Sequence, residues 1–169
     1  MDWQRRIDQL ERSGRILLQL FEDVEEPELR WKPSPERWSL LEVMVHLWDE
    51  EKEDFRYRLF RTLEDPKQAW PSIDPEGWPV ERRYNEADLT EALAGFSAER
   101  ATSISALRAL QDPDWKLSYE HPEMGTIRAG DLLAAWVAHD QLHIRQVANL
   151  RVEYLATSMA PYLIFYAHP

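Results

Sequence analysis

Apolar side chains recur at helical spacing in four separate stretches of the chain. In the first, Ile7, Leu10, Leu17, Leu18, Phe21 and Val24 share a face between Asp2, a residue type that caps helix starts, and Pro27. The link from Pro27 to Arg37 holds three prolines and no periodicity, so it reads as a loop. The second stretch opens on Ser39-Leu40-Leu41-Glu42, a capping box, with Trp38 and Val43 spaced for the accompanying hydrophobic staple. This helix runs to about Leu63 and stops before Pro66. A long loop follows to Tyr84, with Pro71, Pro75, Gly77 and Pro79; loops of that length in small domains carry function or face a partner.

The third helix begins near Asn85, with Asp88 in its first turn and Leu89, Leu93, Phe96, Ile104, Leu107 and Leu110 on one stripe. A turn-rich stretch from Asp112 to Gly125 leads to the fourth, which Thr126 caps and whose buried stripe is Leu132, Trp136, Val147 and Leu150. The apolar tail from Tyr154 to Tyr166 is placed to pack across one end or to make an oligomer contact. With no strand signal and no internal repeat, four helices of ~20 residues predict an all-α bundle, one domain spanning residues 1–169.

Composition narrows the chemistry. Hydrophobic residues at 44% and charged residues at 30% support an ordered core, and eight tryptophans against five glycines favour dense helical packing. A net charge of -11 disfavours a nucleic-acid partner, because phosphate binding needs a basic face. No Lys and Arg patch suits an anionic membrane, and no run approaches the ~20 apolar residues of a membrane span. The polar start, Met1-Asp2-Trp3-Gln4-Arg5-Arg6, lacks the apolar run of a signal peptide, so the expected address is the cytoplasm. The chain has no cysteine, which removes disulfides, thiolate nucleophiles and Cys-based zinc sites. A metal would have to be held by His and carboxylates.

His139 and His143 stand one helical turn apart on the same side of the fourth helix, in the middle of its apolar stripe. Two imidazoles side by side in an interior need something to satisfy their nitrogens, and a divalent metal does so. A pair of half-exposed histidines bonded to water has the same spacing. His46 lies near the start of the second helix on a polar face with Glu42, Asp49, Glu50, Glu53 and Tyr57. As a ligand from a facing helix it would complete a three-His site with a coordination position open for water or substrate. Zinc, nickel, copper and iron all accept three imidazoles. His139-Asp140-Gln141-Leu142-His143 lacks the Glu that follows the first His in zinc proteases, so no protease is inferred. His121 reads as a turn residue first and as a pocket-lining residue second, and His168 sits next to the chain end.

Two further residues are candidates for the chemistry. Glu50, one turn after His46, is placed to act as a base or an extra ligand, whereas Glu42 is occupied by the capping box. Arg100 falls mid-stripe between Phe96 and Ile104, where an unpaired charge is costly. It is expected to pair with Glu50 or Glu53 first, and to bind a substrate carboxylate second.

Trp31-Lys32-Pro33-Ser34-Pro35-Glu36-Arg37-Trp38-Ser39, His46-Leu47, His121-Pro122 with Gly125, and His139-Asp140-Gln141-Leu142-His143-Ile144-Arg145-Gln146 follow one another in an order that resembles the DinB/YfiT-like family. The resemblance reaches from the first helix to about Leu150. It implies an up-down four-helix bundle of unusual hand, homodimers, and one divalent metal on His46, His139 and His143. Relatives include thiol S-transferases and a thiol-dependent isomerase that use low-molecular-weight thiols. The expected function is therefore a metal-dependent enzyme that activates a small thiol or a water against an electrophilic small molecule. The alternative is a non-catalytic metal-binding or small-ligand-binding bundle in stress response.

Overall fold

A computed structural model describes residues 2–167; Met1, His168 and Pro169 lie outside the described residues. Helix α1 spans Trp3–Gln19, with the Asp2 carboxylate accepting from the Arg5 backbone N–H. After a single turn, α2 (Glu26–Leu29), the second rod begins with α3 (Leu40–Glu50), passes through a π turn at Glu51–Phe55, and continues as α4 (Arg56–Glu64). The capping box at its start is present: Ser39 Oγ accepts from Glu42 N, and Glu42 Oε2 accepts from Ser39 N. The loop that follows folds a short helix, α5 (Trp78–Glu81), and a 3-10 turn at Tyr84–Glu86. Helix α6 (Leu89–Ala109) starts a few residues later than its periodicity suggests, because Asp88 is the N-cap.

The stretch expected to be only turns forms a small antiparallel hairpin, β1 (Ser118–His121) and β2 (Gly125–Arg128), with Tyr119 opposite Ile127. Gly125 takes φ +74° at the turn, a conformation that costs glycine little. Thr126 is therefore a strand residue and not a cap. Helix α7 (Ala129–Ser158) begins after it, where Asp131 accepts from the Arg128 backbone N–H. Four strand residues per arm with mixed exposure leave no alternation long enough to detect in sequence.

The helices are not arranged in simple chain order. α1 packs on α6 and α7, and the α3–α4 rod also packs on α6 and α7, so α1 stands diagonally across from the second rod. That arrangement brings α3 beside α7. Two apolar clusters fill the interior: Leu17, Phe21, Leu41, Met44, Leu47, Phe96 and Val147 towards one end, and Leu10, Leu59, Leu107, Leu133 and Trp136 towards the other. Polar and charged groups of the second rod, of α6 and of α7 occupy the zone between. Beyond Leu150 the chain leaves the core, and the tail does not pack across the bundle: Tyr162, Leu163, Phe165 and Tyr166 are exposed. No helix among the described residues is long and apolar enough to cross a membrane.

Candidate metal centre

His46 is carried by α3, and His139 and His143 by α7, and the three meet where those helices adjoin. His139 Nε2 lies 3.0 Å from His143 Nε2 and 3.4 Å from His46 Nε2. One nitrogen from each ring falls within 4.8 Å of the other two. A four-coordinate zinc with bonds of ~2.0–2.1 Å sets its nitrogens about 3.3 Å apart, and the two separations to His139 lie close to that value. Protons alone satisfy it poorly, since a neutral His139 holds at most one proton at Nε2 and can donate it to only one neighbour.

The electrostatics point the same way. Burial lowers His46 to about 3, with the charge of His143 adding to the effect and Asp49 opposing it. Burial likewise lowers His139 to about 2, helped by His143, His46 and Arg100. His143 is lowered by burial too, against a hydrogen bond to Gln146. All three rings are therefore neutral near pH 7, the form that binds metal. Gln146 Oε1 stands 2.7 Å from His143 Nδ1. A proton on that nitrogen leaves the Nε2 lone pair free to face the centre. The Trp38 ring packs 4.7 Å from the His46 ring, and Phe55 packs 5.0 Å from His139.

The centre is reached from outside. A cavity of about 440 Å³ opens on His46 and His143, walled by Glu36, Arg37, Trp38, Gln146 and Leu150. At its rim Arg37 donates to both carboxylate oxygens of Glu153, at 2.6 and 2.9 Å. A somewhat larger groove of about 490 Å³ runs over Gly14 and Ala101, but no histidine lines it.

Arg100 is buried and paired, with partners other than those the sequence suggested. Glu51 takes Nε and Nη2 at 2.9 and 2.8 Å, Asp140 takes Nη1 and Nη2 at 2.7 and 2.9 Å, and Leu10 O accepts from Nη1. Glu53 instead accepts from Arg82. Burial works against the Arg100 charge, but the carboxylates of Asp140 and Glu51 outweigh it and hold the guanidinium charged. Trp136 Nε1 also donates to Glu51, at 3.1 Å. Glu51 had no signal in the sequence. The π turn that begins there adds a residue to the turn and breaks the 3.6-residue register from which faces are read.

Glu50 is buried one turn beyond His46. Burial pushes its carboxyl up to about 8, and the charge of Asp54 and a hydrogen bond to it act in the same direction, with Arg58 opposing. It is not among the residues that converge with the three histidines. His121 ends β1 and shapes the hairpin turn, its Nδ1 accepting from Glu123 N and Met124 N. His168 lies outside the described residues.

Residues 9–147 match the model of the DinB superfamily. A protein of Oceanobacillus iheyensis, carried under the provisional name of a metal-dependent hydrolase, is 25% identical over 145 residues, covering 85% of this chain and 83% of that protein. Among solved structures, YfiT from Bacillus subtilis, reported as a probable metal-dependent hydrolase with an unusual four-helix bundle topology, matches with a TM-score of 0.80. That match has 23% identity and covers 89% of this chain and 86% of the other, a likeness of fold.

Proposed function

Because the chain belongs to the DinB superfamily, we propose that it is a metal-dependent hydrolase of small molecules, with His46, His139 and His143 as the metal ligands. The convergence of three neutral Nε2 atoms beside an open cavity carries the reading. A divalent ion held there, zinc or nickel in the first instance, would supply a Lewis acid that makes water nucleophilic at neutral pH. Gln146 fixes the tautomer and orientation of His143. Trp38 and Leu150 give the substrate an apolar wall, and Arg37 at the rim offers a cation once Glu153 yields. Glu50 serves as the acid–base group. Arg100 acts through Asp140 and Glu51 as a positioning residue: its five N–H donors are all engaged, and it locks α7 and the π turn in the rotation that brings the rings together.

A small thiol in place of water fits the same centre, and with no cysteine in the chain it would enter as a cosubstrate. The names of the relatives support water. The exposed apolar side chains Val152, Leu155, Met159, Leu163 and Phe165 support association of two copies through this end of the molecule. A monomer by light scattering at micromolar concentration would remove that reading.

The deciding experiment uses protein purified without a nickel column. One equivalent of metal by elemental analysis, and metal-dependent turnover of a panel of esters and amides without added thiol, is the expected result. Turnover that requires a low-molecular-weight thiol would replace hydrolysis by thiol transfer, and protein that binds no metal would end both.

A further inference from the structure

The face of α7 that carries two of the candidate ligands continues beyond them. His139, His143, Gln146, Leu150 and Glu153 fall within about 80° of one another around the helix. Glu153 follows His143 by roughly 15 Å along the axis, at the helical rise of about 1.5 Å per residue. The other wall of the cavity is the segment before α3, with Glu36, Arg37 and Trp38. There the Arg37 backbone N–H donates to Ser34 O at 3.1 Å, and the next ring, Trp38, packs on His46. A ligand in the cavity therefore has the histidines at one end and Arg37 with Glu153 at the other.

Apart from His46 and His143, Arg37 is the only cationic residue among the described residues that line this cavity. Its guanidinium donates to both oxygens of Glu153, at 2.6 and 2.9 Å, the fork that any free carboxylate also fits. This pair differs from the buried one at Arg100. The side chains of Arg37 and Glu153 are 48% and 39% exposed, against 7% and 0% for Arg100 and Asp140. An exposed pair contributes little to stability, and water can solvate Glu153 when it leaves. Cations close by in sequence are already engaged, Lys32 by Glu42 and Arg151 by Glu28.

We propose that Arg37 receives a carboxylate of the substrate, which takes the place of Glu153 in the fork. The inference rests on the hydrolase reading and adds a substrate class: monoanionic carboxylic acids whose ester or amide bond is separated from the carboxylate by an apolar spacer. The spacer lies along Trp38 and Leu150 while the bond to be cut faces the histidines. Glu36 at the same mouth sets the charge. With Glu153 displaced, two carboxylates flank one guanidinium, so a second negative charge on the ligand meets repulsion. A cationic end would have to face Arg37 itself. Glu153 is thus a competitor of the substrate, and removing its charge strengthens binding.

Titration of the chain without added metal tests this recognition apart from turnover and from ligation of a metal by the probe. The probes are 4-phenylbutyrate and its amide, which differ in charge, followed by the nitrogen-15 signal of the Trp38 indole. The acid should bind more tightly than the amide. Arg37→Gln should weaken the acid roughly 10-fold, to the level of the amide. Glu153→Gln should tighten it by about 2–5-fold. An acid that binds no better than the amide, or worse than 4-phenylbutylamine, overturns the proposal. So does weaker binding in Glu153→Gln, which would make the pair a strut between the two walls.

With metal-loaded enzyme, the acetyl esters of 4-(4-hydroxyphenyl)butanoic acid and of its amide share one leaving group. The acid should be preferred through KM, and Arg37→Gln should cut that preference roughly 10-fold. Equal KM for the two esters in the wild type overturns the proposal. A wild type that hydrolyses neither overturns the hydrolase reading, while the titration still decides whether Arg37 binds a carboxylate.

Discussion

His46 and His139, 93 residues apart in sequence, bring their Nε2 atoms to 3.4 Å of each other across the junction of α3 and α7. Neither ring can protonate there without placing a charge in a buried site next to other imidazoles, so burial holds both in the neutral form.

Replacing His143 by Ala should reduce bound metal from about one equivalent to almost none and leave the bundle folded, since the apolar clusters carry the fold. Thermal melts of wild type and variant, with and without chelator, check this. A wild-type melt that collapses on chelation would instead make the metal part of the folding free energy.

Gln146→Leu keeps the volume near His143 but removes the acceptor for Nδ1–H. Metal affinity should fall roughly 10–100-fold, the range seen when the partner of a metal-bound His is lost. Competition titration with a chromophoric chelator measures it, and an unchanged affinity would show that Gln146 does not orient the ring.

The metal-free protein should be most stable slightly below neutral pH. His46 and His139 are lowered from an ordinary 6.5 to about 3 and about 2, so below pH 6.5 the unfolded chain takes up protons that the native state refuses. Their contribution is complete above 6.5 and is lost as pH falls towards 3. Glu50 runs the other way. Raised from 4.5 to about 8, it contributes fully below 4.5 and fades as pH rises to about 8. Urea midpoints from about pH 4 to about pH 9 should trace this dome, and Glu50→Gln should flatten its alkaline side.

Arg100→Met leaves Glu51 and Asp140 buried without their cation and should cost about 3–5 kcal/mol by denaturant unfolding. Adding Glu51→Gln and Asp140→Asn removes the stranded charges and should recover much of that loss. Metal affinity should stay weakened in both variants if the network positions α7. Stability recovered together with full affinity would confine Arg100 to a structural role.

Helical periodicity was enough to place His139 and His143 on one inner face of α7, and the spacing Ser39 to Glu42 was enough to start α3 where it starts, because both depend on residues within one or two turns. The absence of cysteine, likewise readable at once, limited any metal site to His and carboxylates. Tertiary structure alone decided the rest. Which helices adjoin follows from how whole apolar faces pack, and it is the pairing of α3 with α7 that turns His46 from a residue on a polar face into a partner for the other two. The hairpin at Ser118–Arg128 is too short to leave a pattern. The π turn at Glu51–Phe55 shifts the register of the second rod, so Arg100 meets Glu51 and Asp140 and not Glu50 or Glu53. A local period tells which way a side chain faces only while the turn stays regular, and what it meets there is set by contacts between distant segments.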